Sequence, residues 1–84
     1  MTDIDRPATP LYAQVADTLA RRIGEGLYPL GTFLPTEGAL CDEFDISRHT
    51  AREALRRLSE AGLVRRRQGS GSQVVASQPH RVYV

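Results

Sequence analysis

Apolar residues recur at helical spacing near the beginning of the chain. The repeat of about four residues predicts an amphipathic first helix. Its predicted buried side consists of Leu11, Tyr12, Val15, Ala16, Leu19, Ala20 and Ile23. Thr9 is predicted as the N-cap and Pro10 as the first helical residue, since proline is well tolerated there. The helix is expected to end near Gly24 or Gly26.

Two further helices follow with almost no connection between them. Thr36 has the side chain of an N-cap and begins a short second helix. The apolar stripe of this helix consists of Leu40, Cys41 and Phe44. Ser47 caps a third helix, which is predicted to run from Arg48 to about Ala61 and to end at Gly62. Two helices joined by so short a turn indicate a helix-turn-helix.

The pattern changes to that of strands after the third helix. Residues 63–67 and 72–76 predict two strands, joined by a glycine-rich tip at residues 68–71. Residues 32–34 predict one more short extended piece before a proline. The fold class is therefore mainly α with a small β-hairpin, a winged helix-turn-helix over residues 9–76. Residues 1–8 are interpreted as a flexible N-terminal arm, and residues 77–84 as a linker.

Composition excludes several classes of protein. Eighty-four residues allow one small domain, and so small a core leaves little material for an enzyme cleft. One cysteine excludes an internal disulfide, and with two histidines it makes no zinc-ligand set. We expect no catalytic residues, no metal and no cofactor. The chain has no apolar stretch long enough for a membrane span and no secretory signal, which predicts a cytoplasmic protein without membrane contact.

Charge is segregated along the chain. Residues 1–46 hold three arginines against eight acidic residues, a net charge of −5. Residues 47–67 hold seven arginines against two glutamates, a net charge of +5. A basic block this dense is typical of a surface that binds a polyanion.

The third helix carries the clearest candidate contacts to nucleic acid. Its exposed arc holds Arg48, His49, Arg52 and Arg56 beside the apolar stripe. Arg48 and Arg52 have no acidic residue three or four positions away, so nothing on their own helix neutralises them. Arginine binds guanine edges or phosphates with two parallel hydrogen bonds, and the first turns of a recognition helix enter the major groove. His49 is predicted either to contact DNA or simply to be exposed, and Thr50 either joins the contact or faces the preceding helix.

Other arginines on this helix fit an ordinary solvated face. Arg57 lies four residues after Glu53, in the favourable order for an ion pair. Arg56 has Glu53 three residues before it and Glu60 four residues after it. Arg57 is therefore predicted to pair within the helix, and Arg56 is predicted equally to pair or to bind DNA.

Three arginines lead into the tip of the hairpin. Alternation places Arg65 and Arg67 on one face of the strand and Arg66 on the other. Such a run either protects a strand edge against aggregation or approaches phosphates beside the minor groove. The predicted DNA-contacting residues are Thr36, Ser47, Arg48, His49, Thr50, Arg52, Arg56, Arg65, Arg67, Gln68, Gly69, Ser70 and Gly71.

A series of motif residues resembles the GntR family of bacterial transcription regulators over residues 9–76. The series comprises Pro10-Leu-Tyr12, Gln14-Val15, Gly26-x-Tyr28-x-x-Gly31, Leu34-Pro-Thr-Glu37, Leu40, Phe44, Ser47-Arg48-x-Thr50, Arg52-x-Ala54-Leu55, Leu58, Gly62-Leu-Val64, Arg66 and Gly69-x-Gly71. The opening motif and the wing look most like the HutC branch of that family.

The resemblance implies a winged helix-turn-helix that binds double-stranded DNA at palindromic operators as a homodimer, most often as a repressor. By position, Arg48, Thr50 and Arg52 match residues that contact bases and phosphates, and Gly69 matches the wing tip in the minor groove. A small-molecule effector would act only through a C-terminal domain beyond the linker, a domain that these residues lack.

Two departures from the family pattern change these expectations. Gly38 stands where many members have an arginine that touches DNA, so that contact is not expected here. Ser72-Gln73 replaces the usual threonine and aromatic residue after the wing. The alternative function is a winged helix for protein–protein contact, against which the basic third helix and wing argue.

Overall fold

Three helices and a two-stranded antiparallel sheet follow one another along the chain. The computed structural model describes residues 10–69 and 71–78. The elements are α1 (Leu11–Gly24), α2 (Glu37–Phe44), α3 (Arg48–Glu60), β1 (Val64–Arg67) and β2 (Gly71–Val74). This order is that of a winged helix-turn-helix, which confirms the predicted fold class. The predicted N-terminal arm and most of the predicted linker lie outside the described residues.

Side-chain caps begin α2 and α3 as the sequence predicts. The Thr36 hydroxyl accepts a hydrogen bond from the N–H of Ala39 at 3.1 Å, and the Ser47 hydroxyl accepts one from the N–H of Thr50 at 3.1 Å. Each bond satisfies a helix N–H that has no partner within its helix. Gly62, with φ at +83°, follows the end of α3 in the left-handed conformation. Both ends of the third helix therefore follow from its sequence.

The beginning of α1 differs from the prediction by one residue. Pro10 has ψ at 146° and precedes the helix, so it is not the first helical residue as predicted. Its carbonyl accepts the first helical N–H bonds, from Ala13 and Gln14. The predicted cap, Thr9, lies outside the described residues.

The core lies between α1, α3 and the inner face of the hairpin. Its buried residues are Val15, Ala16, Leu19, Ile23, Leu34, Leu40, Ala51, Ala54, Leu55, Leu58, Leu63, Val64 and Val74. Leu11 was predicted to belong to this core, but it is 50% exposed. A strict four-residue repeat drifts by about 40° per step around a helix, because each residue turns about 100°. Leu11 therefore lies at the edge of the stripe that Val15, Leu19 and Ile23 bury.

The hairpin is shorter than the alternation predicts. β1 and β2 pair from Val64 opposite Val74 to Arg67 opposite Gly71. The N–H groups of Val75 and Ala76 both point to the Leu63 carbonyl, so the regular ladder ends at Val74 rather than at the predicted Ala76. Gly71 is the first paired residue of β2, although it was predicted to belong to the tip.

A short extended segment at residues 31–34 pairs with the other edge of β2. The sequence predicts an extended segment at residues 32–34 but not this pairing. Phe33 pairs with Gln73 in an antiparallel bridge. Backbone bonds of 2.8–2.9 Å join Gly31 and Thr32 to Val74 and join Leu34 to Ser72. β2 is therefore held on both sides, and the base of the wing is fixed to the loop between α1 and α2.

Candidate nucleic-acid interface

A tight turn places the first turns of α2 and α3 side by side. Asp45 has left-handed backbone angles, with φ at 56° and ψ at 53°, and its N–H bonds the Cys41 carbonyl. The N–H of Ile46 bonds the same carbonyl at 3.2 Å. An Arg48 guanidinium nitrogen lies 3.8 Å from the position that a Cβ would take at Gly38. The Arg48 side chain therefore lies beside the first turn of α2.

The exposed arc of α3 agrees with the helical pattern. Arg48, His49, Arg52 and Arg56 are exposed, whereas Ala51, Ala54, Leu55 and Leu58 are buried. The core thus fixes the rotation of the helix and turns its arginines outward. Nucleic-acid contact by these residues remains a prediction.

The hydroxyls of Ser47 and Thr50 bond each other at the start of α3. Ser47 Oγ donates to Thr50 Oγ1 at 3.0 Å, and it also accepts the bond from the Thr50 N–H. Thr50 is half-buried, and its contact with DNA stays a prediction. Ser47 is exposed and retains acceptor capacity toward the outside.

Arg52 has an acidic partner that its own helix does not supply. Its Nε lies 3.4 Å from Oε2 of Glu37, at the start of α2. The same oxygen lies 3.8 Å from an Nη of Arg66 in β1. The prediction that Arg52 is unpaired is therefore wrong, because it considered only partners three or four residues away within one helix.

Two carboxylates hold Arg56. Its guanidinium bonds Glu53 at 2.7 Å and 3.1 Å and Glu60 at 2.7 Å. These hydrogen bonds hold the pKa of the Glu53 carboxyl below its ordinary range and raise the pKa of Arg56. The pairing predicted for Arg56 is confirmed, and Arg56 is the least available arginine of the arc.

Arg57 does not make the ion pair that was predicted for it. Its guanidinium lies over the ring of Tyr12 in α1, 6.0 Å from the ring centroid. Glu53 is engaged by Arg56 instead. Arg57 therefore contributes to the contact between α1 and α3 rather than to the face that holds Arg48 and Arg52.

The wing presents an exposed charged strand and a small-residue tip. Arg65, Arg67, Gln68 and Gly69 are exposed. Gly69 and Gly71 have φ at +80° and +97°, a region that favours glycine. The predicted contact Ser70 lies outside the described residues. At Gly69 and Gly71 the tip therefore presents backbone without a side chain.

An open cleft of about 510 Å³ separates the helix-turn-helix from the wing. Its lining includes Thr36, Glu37, Gly38, Arg48, Arg66, Gly69 and Gly71. Four of these residues, Thr36, Arg48, Gly69 and Gly71, belong to the predicted set. The cleft brings together the start of α2, the start of α3 and the tip of the hairpin.

The predicted set omits Glu37 and Arg66, which lie at the centre of this surface. Val64, Arg66, Ser72 and Val74 share the inner face of the hairpin in the observed register. Arg66 therefore points toward α2 and α3, whereas Arg65 and Arg67 lie on the outer face. The alternation of side chains along β1 could have indicated the position of Arg66, because a strand that buries Val64 turns Arg66 to the same side.

Other candidate chemistry in the described part of the chain is limited. No group of three or more His, Cys, Asp or Glu residues within residues 10–69 and 71–78 is arranged to hold a metal ion. No helix in those ranges has the length and hydropathy to span a bilayer. Cys41 packs half-buried against the core, as predicted, and His80 lies outside the described residues.

Comparison with known proteins supplies independent information. The family model described as bacterial regulatory proteins, gntR family, matches residues 11–74. The repressor of the mannosyl-D-glycerate transport/metabolism system from Escherichia coli K12 is 48% identical over 65 residues, which cover 77% of this chain and 27% of the relative. The Exu regulon transcriptional regulator of the same strain is 45% identical over 69 residues, which cover 82% of this chain and 27% of that relative. The chain thus spans about a quarter of the length of both.

Solved structures give the same picture of the fold. The DNA-binding domain of AraR in complex with operator ORR3 superposes with a TM-score of 0.77 at 37% identity, covering 81% of this chain and 82% of that one. Streptococcus agalactiae BusR in complex with its busAB promoter DNA superposes with a TM-score of 0.76 at 28% identity, and the match covers 83% of this chain and 34% of that one.

Proposed function

Because the chain belongs to the GntR family of bacterial regulatory proteins, we propose that it is a sequence-specific DNA-binding domain that controls transcription. The observation that carries this proposal is the position of Arg48 and Arg52. The core turns both outward on the first two turns of α3, and the cleft beside them leads to the wing. Double-stranded DNA is the polyanion that fits a protruding basic helix with an adjacent wing.

The residues of the surface divide into groups that contact different parts of DNA. Arg48 and Arg52 are proposed to bind base edges in the major groove, with His49 beside them. Hydroxyls at the two helix starts, from Thr36, Ser47 and Thr50, are proposed to contact phosphates. Helix N-termini favour negative groups, which supports that assignment.

The wing is proposed to approach the minor groove with its tip. The tip comprises Gln68, Gly69, Ser70 and Gly71, whose small residues permit close approach of the backbone. Arg65 and Arg67 on the outer face are proposed to bind flanking phosphates. Arg56 is proposed as a weaker phosphate contact, because a phosphate must compete with its two glutamates.

Several features of the whole protein are proposed from its relatives. A role as a repressor that binds an operator is supported by the named function of the Escherichia coli repressor and by the AraR operator complex. Binding to a palindromic site as a homodimer is proposed from the resemblance to the family. The relatives are about four times as long as the aligned part, which supports a further effector-binding domain after the linker. A cytoplasmic location follows from the proposed contact with DNA. Enzymatic activity is not proposed, because the family model describes regulatory proteins.

Selection of bound duplexes from a random DNA pool tests the proposal directly. We expect an enriched sequence with two inverted half-sites, and a mobility shift that favours it over a shuffled duplex. Arg21→Ala, which removes an exposed arginine from α1, serves as a control that retains the enriched sequence. Failure to bind any duplex at low salt would refute the proposal and favour the alternative of a protein-binding winged helix.

A further inference from the structure

Glu37 is an acidic side chain within the proposed basic DNA-binding surface. One carboxylate oxygen, Oε2, faces Arg52 of α3 at 3.4 Å and Arg66 of β1 at 3.8 Å. The Glu37 side chain is 18% exposed, whereas Arg52 and Arg66 are 52% and 66% exposed. The carboxylate therefore lies beneath the two arginines, and it joins an element of the helix-turn-helix to the wing.

The backbone fixes Glu37 in this place. Glu37 is the first residue of α2, directly after the capping residue Thr36. A carboxylate in the first turn of a helix is favoured by the helix dipole. The helix dipole explains why an acidic residue is favourable at this position. A carboxylate that pointed into solvent would interact with the dipole equally well, however, so the dipole does not explain the direction of the side chain. The ion pairs to Arg52 and Arg66 account for the direction of the side chain and for its burial.

We propose that Glu37 is a positioning residue that holds Arg52 and Arg66 in place before DNA binds and thereby increases discrimination between operator and random sequence. The inference rests on the proposed DNA-binding function. Arg52, Arg66 and the neighbouring Arg48 repel one another, and a shared carboxylate between two of them offsets that repulsion. An arginine already oriented loses less side-chain freedom when it forms a bidentate contact with a base.

The negative charge of Glu37 weakens binding to random DNA. Every DNA sequence presents phosphates to this surface, and a carboxylate beneath the arginines weakens each such contact. Only a sequence that matches the oriented arginines recovers affinity through base contacts. Glu37 thus disfavours random DNA relative to the operator, which is how charge placement yields specificity.

Glu37→Gln and a matched control on the same helix test this inference. Glu43→Gln removes one negative charge from α2 as well, but Glu43 pairs with Arg22 of α1 at 2.7 Å and takes no part in the cleft. The probes are the duplex that the unaltered chain selects from a random pool and a shuffled duplex of equal composition. Both are titrated by fluorescence anisotropy at several salt concentrations.

For Glu37→Gln we expect binding to the shuffled duplex to strengthen about two- to tenfold, because the freed surface arginines can then bind phosphates with modest energy. The slope of log K against log salt should steepen by about 0.9 for each additional phosphate that is neutralised. Affinity for the selected duplex should rise less or fall, so that the ratio of the two affinities decreases. Glu43→Gln should leave this ratio unchanged.

Two more variants separate position from charge. Glu37→Asp keeps the charge but is shorter, so it should weaken binding to the selected duplex without strengthening binding to the shuffled one. Glu37→Gln introduced into an Arg66→Gln background should reduce the ratio less than it does alone, because one of the two paired arginines is already absent.

Contrary results have distinct meanings. Equal effects of Glu37→Gln and Glu43→Gln would overturn the inference and leave only a net-charge effect. A lowered melting temperature with parallel losses on both duplexes would overturn it in favour of a purely structural role at the start of α2. Absence of any sequence preference in the unaltered chain would overturn the proposed function itself.

Discussion

Nε of Arg67 donates a 2.8 Å hydrogen bond to Oε1 of Gln73, which joins the two strands across the outer face of the wing. Gln73 also donates from its amide nitrogen to the Gly31 carbonyl at 3.0 Å. The Gln73 side chain therefore links Arg67 of β1 to the segment at residues 31–34. Arg67 must therefore break its hydrogen bond to Gln73 before its Nε can bind a phosphate. Arg65, in contrast, has no carboxylate partner among the described residues.

The wing arginines should act mainly on phosphates. We expect Arg65→Gln to weaken binding to selected and shuffled duplexes alike and to lower the salt slope by up to about 0.9, the value for one phosphate contact. Arg67→Gln should have the smaller effect, because its bond to Gln73 competes with phosphate. Anisotropy titrations over a range of salt measure both. An unchanged slope in both variants would show that these side chains form only a solvated strand face.

Arg48→Ala and Arg52→Ala should remove sequence preference while the fold persists. Removal of one bidentate bond to a base should cost about 1–3 kcal/mol of discrimination. Arg48 is exposed, so its replacement should change the free energy of unfolding by less than about 0.5 kcal/mol. Competition between the selected duplex and shuffled DNA provides the measurement, with circular dichroism to verify folding. Retention of the wild-type preference in both variants would contradict the assignment of α3 as the recognition helix.

The two hydroxyl caps should each stabilise the fold. Thr36→Ala and Ser47→Ala each remove an acceptor for a helix N–H, and the expected loss is about 1 kcal/mol of unfolding free energy. For a domain of this size such a loss lowers the melting temperature by about 4–8 °C. Ser59→Ala, an exposed position within α3, is the control and should change little. Thermal denaturation that does not distinguish the three variants would argue against the capping geometry.

Stability should depend on pH through Glu53. Hydrogen bonds from Arg56 hold the pKa of the folded Glu53 carboxyl below its ordinary range. Its contribution to stability is therefore fully present above the pKa of the unfolded chain and is lost as the pH falls through the lower folded pKa. Glu53→Gln should thus be less stable than the unaltered chain at neutral pH, and the difference should vanish in acid.

Urea denaturation at neutral and at acidic pH measures that difference. Asp17→Asn, which changes an exposed acid in the middle of α1, is the control and should show a smaller dependence. If the difference in unfolding free energy between Glu53→Gln and the unaltered chain stayed constant from neutral pH to acid, ionised Glu53 would not be what stabilises the fold.

This 84-residue chain should bind two-half-site DNA weakly on its own. The apolar stripe of α1 and α3 is committed to the core, and a specific interface usually buries at least about 1,200 Å². Leu11 is exposed, contrary to expectation, and Leu27, Leu30, Phe33 and Val75 are exposed as well. Five apolar side chains are few against the roughly 20–30 residues that each partner contributes to such an interface. Fusion of a dimerising coiled coil after Val84 should increase affinity about 10²–10⁴-fold through effective concentration. A stable dimer of the unfused chain at micromolar concentration, by analytical ultracentrifugation, would contradict this expectation.

The sequence predicts local features of this fold better than contacts between elements. Thr36, Ser47 and Gly62 mark helix ends because caps and left-handed glycines act within one turn. Helical periodicity likewise predicts which side of α3 is buried. Periodicity does not state which faces meet, however, and Glu37 and Arg52 are brought together only by the packing of α2 against α3. The same reason explains why Arg57 lies over Tyr12 rather than beside Glu53.

The pairing of β2 on both sides has a consequence for self-association. Within the described part of the chain, the outer edge of β1 and the outer edge of residues 31–34 remain for another strand to join. Three consecutive arginines occupy the first edge, and Pro29 and Pro35, which lack an N–H to donate, flank the second. Both are devices that prevent intermolecular strand addition and amyloid-like growth. The residues that prepare the wing for a polyanion thus also keep separate copies of the domain from joining edge to edge.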